Sequence, residues 1–328
     1  MSTEGLTKNL LSQIYRLTKG TNKNSKETRH RYKESNERFA HFLAEKFHIQ
    51  KITNVKEKHF TAYAEHMVQQ GYSGKTIRTD LSGIRYFHEL SGSRFRLPEN
   101  KELAQKGIVF PDTKTNTVDR AWSQREIERA KIVATSMGRH DVVVAIDISH
   151  DAGLRINEVS SLRISQVKQA LDQGHLHIKG KGGVERDISI RNEAQTSALE
   201  RALEYAKSEG RNRLGDYVLA QTRHGGVLAE KTSLQNWIIN HRDKFQDDRS
   251  YFQERSETQH IGPSVKEKTD HVTWHGLRYT FAQERYAEAL ETHIGAGESQ
   301  SYAEYHARVE TSYELGHFRD SITKIYLS

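Results

Sequence analysis

The run VFPDTKTNTVDRAW, from Val109 to Trp122, contains a proline and many Thr, Asn and Asp residues, and its apolar residues recur at neither helical nor strand spacing. A run of that kind cannot carry a helix or a strand through the middle of a 328-residue chain. It therefore divides the chain into a first domain over residues 1–112, a linker over 113–121 and a second domain over 122–328. Both parts are long enough to bury a core of their own. Ser123 and Glu126 then carry the signature of a capping box, a hydroxyl and a carboxylate three apart, which opens a helix just after Trp122.

In the first domain Tyr32, Phe39, Phe42, Leu43 and Phe47 recur at helical spacing, and residues 60–70 and 76–90 repeat the pattern. A small helical bundle is expected. In its last helix Ile77, Leu81, Ile84 and Phe87 share one face, and Lys75, Arg78 and Arg85 fall on the opposite one, where they are expected to point outward in a row. The second domain continues with an apolar helix, DVVVAIDISH, a break at Gly153 and a short helix from Ile156. In HLHIKGKGGVERDISI, Leu176 and Ile178 alternate, three glycines make a turn, and Ile188 and Ile190 alternate again. That pattern predicts a β-hairpin with Lys181 at its tip. Helices are expected over 194–207 and 231–240, a polar stretch of weak periodicity over 241–271, and a further helix in VTWHGLRYTFAQERYAEAL. The expected class is mainly α with a small β-sheet.

Charge is distributed unevenly. Residues 1–112 hold 20 Lys and Arg against 12 Asp and Glu, so the net +7 of the whole chain belongs to the first domain. Such a bias points to a polyanionic partner, of which nucleic acid is the commonest. The absence of cysteine excludes disulfides, thiolate metal sites and cysteine nucleophiles. No secretory pattern opens the sequence and no apolar window approaches the roughly eighteen residues of a membrane span, so a soluble, cytoplasmic protein without membrane contact is expected. His175 and His177 form a His-x-His pair, but no carboxylate spacing supports a metal-dependent hydrolase.

The remaining polar motifs are Arg155 in AGLRINEV, Lys181 in GKGG, His275 and Arg278 in HGLRYTFA, His317 in LGH, and Tyr326 in ITKIY, nine residues after His317. Each motif alone is common. Together, in this order, they resemble the tyrosine recombinase (integrase) family, whose active site combines an Arg, a Lys, His-x-x-Arg, a His or Trp and a Tyr. The resemblance covers 122–328; the first domain looks like the family's helical core-binding domain by position and character only. It implies a fold of that helical domain plus an α+β catalytic domain.

The chemistry suits the residues. A phosphodiester under attack gains charge on its non-bridging oxygens, and two planar, always-charged guanidiniums, Arg155 and Arg278, can bind them bidentately. Arg155 can also salt-bridge Glu158, one helical turn on, and the family has an acidic residue there. His275, one turn from Arg278, either takes the tyrosine proton or hydrogen-bonds the phosphate. By resemblance His317 hydrogen-bonds the phosphate, Lys181 protonates the departing 5′ oxygen, with Lys179 as competitor, and Tyr326 is the nucleophile. Tyr313 is a rival nucleophile that precedes the LGH motif. Because a phosphotyrosyl bond conserves the energy of the phosphodiester, the resemblance implies no cofactor and no metal.

The expected partners are double-stranded DNA, contacted in part by Lys75, Arg78 and Arg85, and further copies of the chain in a tetramer on two DNA sites. Integration or excision of a mobile element is the leading expectation. A dimer-resolving recombinase, a topoisomerase of the same chemistry and a DNA-binding regulator with a relic active site are the alternatives. Too few residues precede the helix at Lys26 for an additional arm-binding domain. From His275 to His317 is 42 residues, longer than usual in the family, with GAGESQSYAEYHARVE as the inserted part. Family members commonly continue into a tail that docks on a neighbouring protomer, where only Leu327 and Ser328 follow here.

Overall fold

The structure, a computed structural model, describes residues 2–19, 26–111, 119–221, 225–254 and 265–327. The chain forms two compact units, Met1–Thr115 and Asn116–Ser328. Most of the expected linker lies outside the described residues.

The first unit contains α1 (Thr3–Thr18), α2 (Lys26–Phe47), α3 (Glu57–Gln69), α4 (Gly74–Leu90) and α5 (Asn100–Gln105). The stripe Ile77, Leu81, Ile84 and Phe87 of α4 is fully buried, and Phe39, Leu43, Phe60 and Met67 close the same core. Burying a side chain of that size is worth about 1.5–3 kcal/mol, so this stripe, more than helix propensity, fixes α4. Leu6, Leu10 and Ile14 of α1, spaced by four, are buried as well. The opening residues are thus an integral helix of the bundle and not merely a lead into α2. A buried polar knot ties the bundle: Asp80 accepts from Ser35 (2.9 Å), Arg38 (2.6 Å) and Tyr63 (3.1 Å).

One expectation for α4 is corrected. Lys75 is exposed, but Arg85 does not join an outward row: its side chain is only 13% exposed, its Nε donates to the Pro98 carbonyl (2.9 Å) and its Nη2 to Asn100 Oδ1 (2.8 Å). Its guanidinium also lies over the Phe60 ring at 5.0 Å. Arg78 is half-buried, with its guanidinium 5.6 Å from the Phe110 ring.

The second unit runs α6 (Gln124–Ser136), α7 (His140–Asp151), α8 (Ile156–Ser160), α9 (Ile164–Gln173), β1 (His175–Lys179), β2 (Glu185–Ser189), α10 (Glu193–Ser208), α11 (Gly226–His241), β3 (Ser250–Glu254), β4 (Val265–Thr269), α12 (Trp274–Gly295), α13 (Gln300–Glu314) and α14 (Asp320–Thr323). The apolar α7 is the central element, packed against α6, α10 and α12. The Ser123–Glu126 capping box opens α6, and Trp122 stacks on Phe245 at 5.3 Å. Strands β1 and β2 pair antiparallel with Leu176 opposite Ile188 and Ile178 opposite Arg186. The fold is mainly α with small antiparallel sheets, as the periodicities predict. The polar stretch 241–271 differs from expectation, since it contains a second antiparallel pair of strands, β3 with β4. Among the described residues no helix is long and apolar enough to cross a membrane.

Candidate active site

Three chain reversals and one helix start bring the singled-out residues together. Gly153 ends the turn after α7 at φ +59°, and a Cβ there would sit 2.3 Å from the Phe281 ring, so only glycine fits. Arg155 follows as the N-cap of α8, its backbone N–H donating to Glu158 Oε2 at 2.8 Å. Helix α12 begins at Trp274, whose indole N–H donates to Ser149 Oγ at 2.9 Å. That anchor places His275 and Arg278 in the first turns of the helix.

The LGH motif is a helix stop. Gly316 takes φ +64°, its N–H bonds to the Tyr313 carbonyl (2.8 Å), and the His317 N–H bonds to the Ser312 carbonyl (3.0 Å). These are the paired bonds of a Schellman cap, which ends α13 and turns His317 out of it. The short α14 then reverses the chain, and the Tyr326 N–H bonds to the Thr323 carbonyl at 2.9 Å. Gln283 on α12 donates to the Tyr326 carbonyl at 3.1 Å.

In the assembled cluster Tyr326 Oη lies 3.1 Å from His317 Nε2 and 3.4 Å from His275 Nε2. Arg278 Nη2 is 3.5 Å from His317 Nε2. Arg278 is 1% exposed; it donates through Nη1 to the Gly153 carbonyl and through Nη2 to the Leu315 carbonyl, and its buried Nε has no partner among the described residues. Arg155 donates to Glu158 (3.0 Å) and, through Nη2, to the same Leu315 carbonyl (3.3 Å). A guanidinium has five N–H groups, so each arginine keeps donors beyond those the protein uses.

Five residues singled out by sequence, Arg155, His275, Arg278, His317 and Tyr326, therefore converge. Lys181 lies in the turn between β1 and β2, and its side chain is outside what the structure describes. Lys179 is an exposed partner of Glu185 at 3.0 Å. Tyr313 is 58% exposed and packs edge-on against Phe318, away from the cluster. His177 pairs with Asp187 and His175 with the Gln173 carbonyl.

The electrostatics follow from packing. His317 is pushed down to about 4 by burial and then by the charges of Arg278 and Arg155. His275 keeps one exposed edge, yet its ring packs edge-on against Tyr279 and Tyr326; burial, then Arg278, Arg155 and Arg120, push it down to about 4 as well. Both imidazoles are thus neutral at pH 7. A guanidinium only donates, so His317 Nε2, facing Arg278, is the acceptor nitrogen of its ring. Burial, followed by Arg155, lowers Arg278 to about 10, where it is still charged at neutral pH.

Sequence reasoning missed Arg186. It is 5% exposed on β2, grips Glu158 through Nη1 (2.9 Å) and Nη2 (2.7 Å), and donates through Nε to the Glu314 carbonyl (2.7 Å). A Cβ on Gly316 would meet its Cδ at 2.9 Å, a second reason for glycine in LGH. The signal was present: Arg186 is two residues before Ile188, on the inward face of a strand, where a charge demands a buried partner. Burial tends to raise the Glu158 pKa, but Arg186 first and Arg155 next overcome it and hold the carboxyl at about 2.

Among curated protein sequences no match to this chain exists. Among solved structures, a lambda integrase dimer bound to a COC' core site superposes with a TM-score of 0.62 at 14% identity, over 97% of this chain and 77% of that one. The Tn1549 transposon integrase in complex with transposon right end DNA gives 0.54 at 16%, over 97% and 94%. A lambda integrase tetramer bound to a Holliday junction gives 0.58 at 14%, over 96% and 76%. At these identities the likeness is one of fold. The sequence model of the phage integrase N-terminal SAM-like domain matches residues 19–91. That of the phage integrase family matches residues 124–293, which include Arg155, Lys181, His275 and Arg278 and stop short of His317 and Tyr326. With more than half of its residues matched by that second model, and with its mainly helical two-unit fold, the chain belongs to the phage integrase family, the tyrosine recombinases.

Proposed function

We propose that the protein is a site-specific DNA recombinase that cuts and rejoins double-stranded DNA through a 3′-phosphotyrosyl intermediate on Tyr326. The observation that carries this reading is the position of Tyr326 Oη, within hydrogen-bond reach of two neutral imidazoles, His317 at 3.1 Å and His275 at 3.4 Å, beside Arg278. One imidazole takes the phenolic proton as the Tyr326 oxygen attacks phosphorus. The remaining donors of Arg155 and Arg278, including the Arg278 Nε that has no partner among the described residues, hold the non-bridging oxygens. The bond from phosphorus to the 5′ oxygen breaks, and Lys181 delivers a proton to that oxygen. Attack by a 5′ hydroxyl of a second strand reverses the step and releases Tyr326. No electron transfer and no nucleotide hydrolysis is required.

The biological setting we infer is integration or excision of a mobile element by a tetramer on two DNA sites. The support is family membership, together with solved relatives in fold that include a transposon integrase on transposon end DNA and an integrase tetramer on a Holliday junction. The direct test is a nicked duplex that loses its 5′ hydroxyl fragment on cleavage and so cannot religate. A protease-sensitive covalent adduct is expected; tight binding with no adduct would instead identify a DNA-binding regulator with a relic site.

A further inference from the structure

The stretch from His293 to Glu310 plays no part in the chemistry above, and all of it after His293 lies beyond the family match, yet it holds a cluster of its own. His293, in the last turn of α12, Glu298, in the connection to α13, and His306, within α13, place their ligating atoms within 4.8 Å of one another. Glu298 divides its carboxylate between the rings, Oε1 at 2.8 Å from His293 Nδ1 and Oε2 at 2.7 Å from His306 Nδ1. The ring centroids are 5.2 Å apart. This closeness follows from the sequence, because Ala289, Ala303 and Ala307 are fully buried and have no side-chain bulk to keep α12 and α13 apart.

The surroundings of His293 matter as much as the cluster. Its other nitrogen, Nε2, lies 2.8 Å from Glu310 Oε1, and Glu310 Oε2 in turn accepts from Arg285 at 2.8 Å. A histidine that ligates a metal through one nitrogen and donates its other N–H to a carboxylate is the recurring arrangement of protein metal sites, since it fixes the tautomer and raises ligand basicity. Here that arrangement leaves His293 Nδ1 aimed at the point that Glu298 and His306 also face.

We propose that His293, Glu298 and His306 bind one divalent transition-metal cation, of which Zn²⁺ suits two imidazoles and a carboxylate best. The cation replaces the protons now shared between Glu298 and the two Nδ1 atoms, and a water completes four-coordination. Mg²⁺ and Ca²⁺ are poor candidates, since both favour all-oxygen shells. The role is structural. The cation clips the end of α12 to the first half of α13; the opposite end of α12 carries His275 and Arg278, and that of α13 leads into Leu315 to His317. The reaction itself remains free of metal.

The test uses the full chain, without an affinity tag and stripped with a chelator, titrated with Co²⁺ as a spectroscopic probe and then with Zn²⁺. One equivalent of Co²⁺ should give the visible absorption of a tetrahedral nitrogen–oxygen site, and Zn²⁺ should bleach it. Glu298→Gln and His306→Gln should abolish the band, while Glu310→Gln should weaken affinity by about 10–100-fold. Circular dichroism checks that each variant is folded. His177→Gln, which alters the separate His-x-His pair, should leave the band unchanged. A folded wild-type chain with no band would show the cluster to be a hydrogen-bonded clasp only. A band that survives Glu298→Gln, or is lost in His177→Gln, would place the metal elsewhere; either result overturns the proposal.

Discussion

Arg186 grips both carboxylate oxygens of Glu158, at 2.9 and 2.7 Å, and both residues are 5% exposed. Glu158 in turn orients Arg155, at 3.0 Å, so the position of one guanidinium rests on a second that never reaches the cluster around Tyr326. Removing one member of a buried pair leaves an uncompensated charge. Arg186→Ala should therefore destabilise the chain by about 3–5 kcal/mol in urea unfolding. Arg186→Met combined with Glu158→Leu should recover most of that loss. The recovered protein should still cleave slowly, because Arg155 has lost its anchor; full activity in the double variant would show that Glu158 matters for folding alone.

Tyr326→Phe should abolish the covalent adduct and leave DNA affinity nearly intact, since on the proposed reading the phenolic oxygen forms the bond but contributes little binding. Of His275→Ala and His317→Ala, the variant lacking the proton acceptor should lose about 10²–10⁴-fold in cleavage rate. An adduct formed by the Phe variant would move the nucleophile elsewhere.

Lys181→Ala should cleave ordinary DNA slowly and be largely rescued when the bridging 5′ oxygen is replaced by sulfur, a leaving group that needs no proton. Lys179→Ala should behave like wild type on both substrates if its partnership with Glu185 is its only role. The opposite pattern would exchange the two lysines.

Stability should fall on both sides of neutrality, for different residues. His275 and His317 are depressed to about 4, so between the unfolded value of 6.5 and 4 the unfolded chain binds protons that the folded chain does not, and stability falls as pH drops through that window. His150 behaves in the opposite sense. Burial disfavours its charge, but hydrogen bonds to Asp151 (2.6 Å) and Glu284 (3.3 Å) prevail and raise it to about 9, so its contribution is complete below 6.5 and is lost as pH rises through 9. His150→Gln should flatten the alkaline decline in melting temperature between pH 7 and 9.5 and leave the acid side unchanged. An equally steep alkaline decline in the variant would assign it to other groups.

Lys75→Ala with Arg78→Ala should flatten the slope of log affinity against log salt by about two units if both meet phosphates. Arg85→Ala should leave the slope alone and instead cost about 1–3 kcal/mol of stability, because it strips donors from the Pro98 carbonyl and Asn100. A slope that changes with Arg85 and not with Lys75 would put DNA on another face of this unit.

Arg85 also shows what a sequence can and cannot convey. At 3.6 residues per turn Arg85 stands about 80° from Lys75 and only about 40° from Leu81, at the edge of the apolar stripe, so the outward row was drawn too wide, and spacing says nothing about residues 98–100 folding over that edge. Leu6, Leu10 and Ile14 have a readable four-residue spacing, but three apolar residues on one face fix α1 only through its packing against α2, which spacing does not show. The cluster around Tyr326 was legible because its residues sit in short local motifs, each a cap or turn with its own backbone reason. Arg186 was not, because its importance lies in a partner 28 positions away, and strand alternation marks only that it faces inward.

The Leu315 carbonyl accepts from both Arg155 and Arg278. Two like charges are thus gathered around an oxygen that the chain itself provides, next to the glycine that turns His317 toward Tyr326. The repulsion between the guanidiniums is met during folding, and on the proposed reading the backbone oxygen acts as a template for the phosphate that would share them. Under that reading an incoming phosphate would find its donors already aimed, and little of its binding energy would go into arranging them.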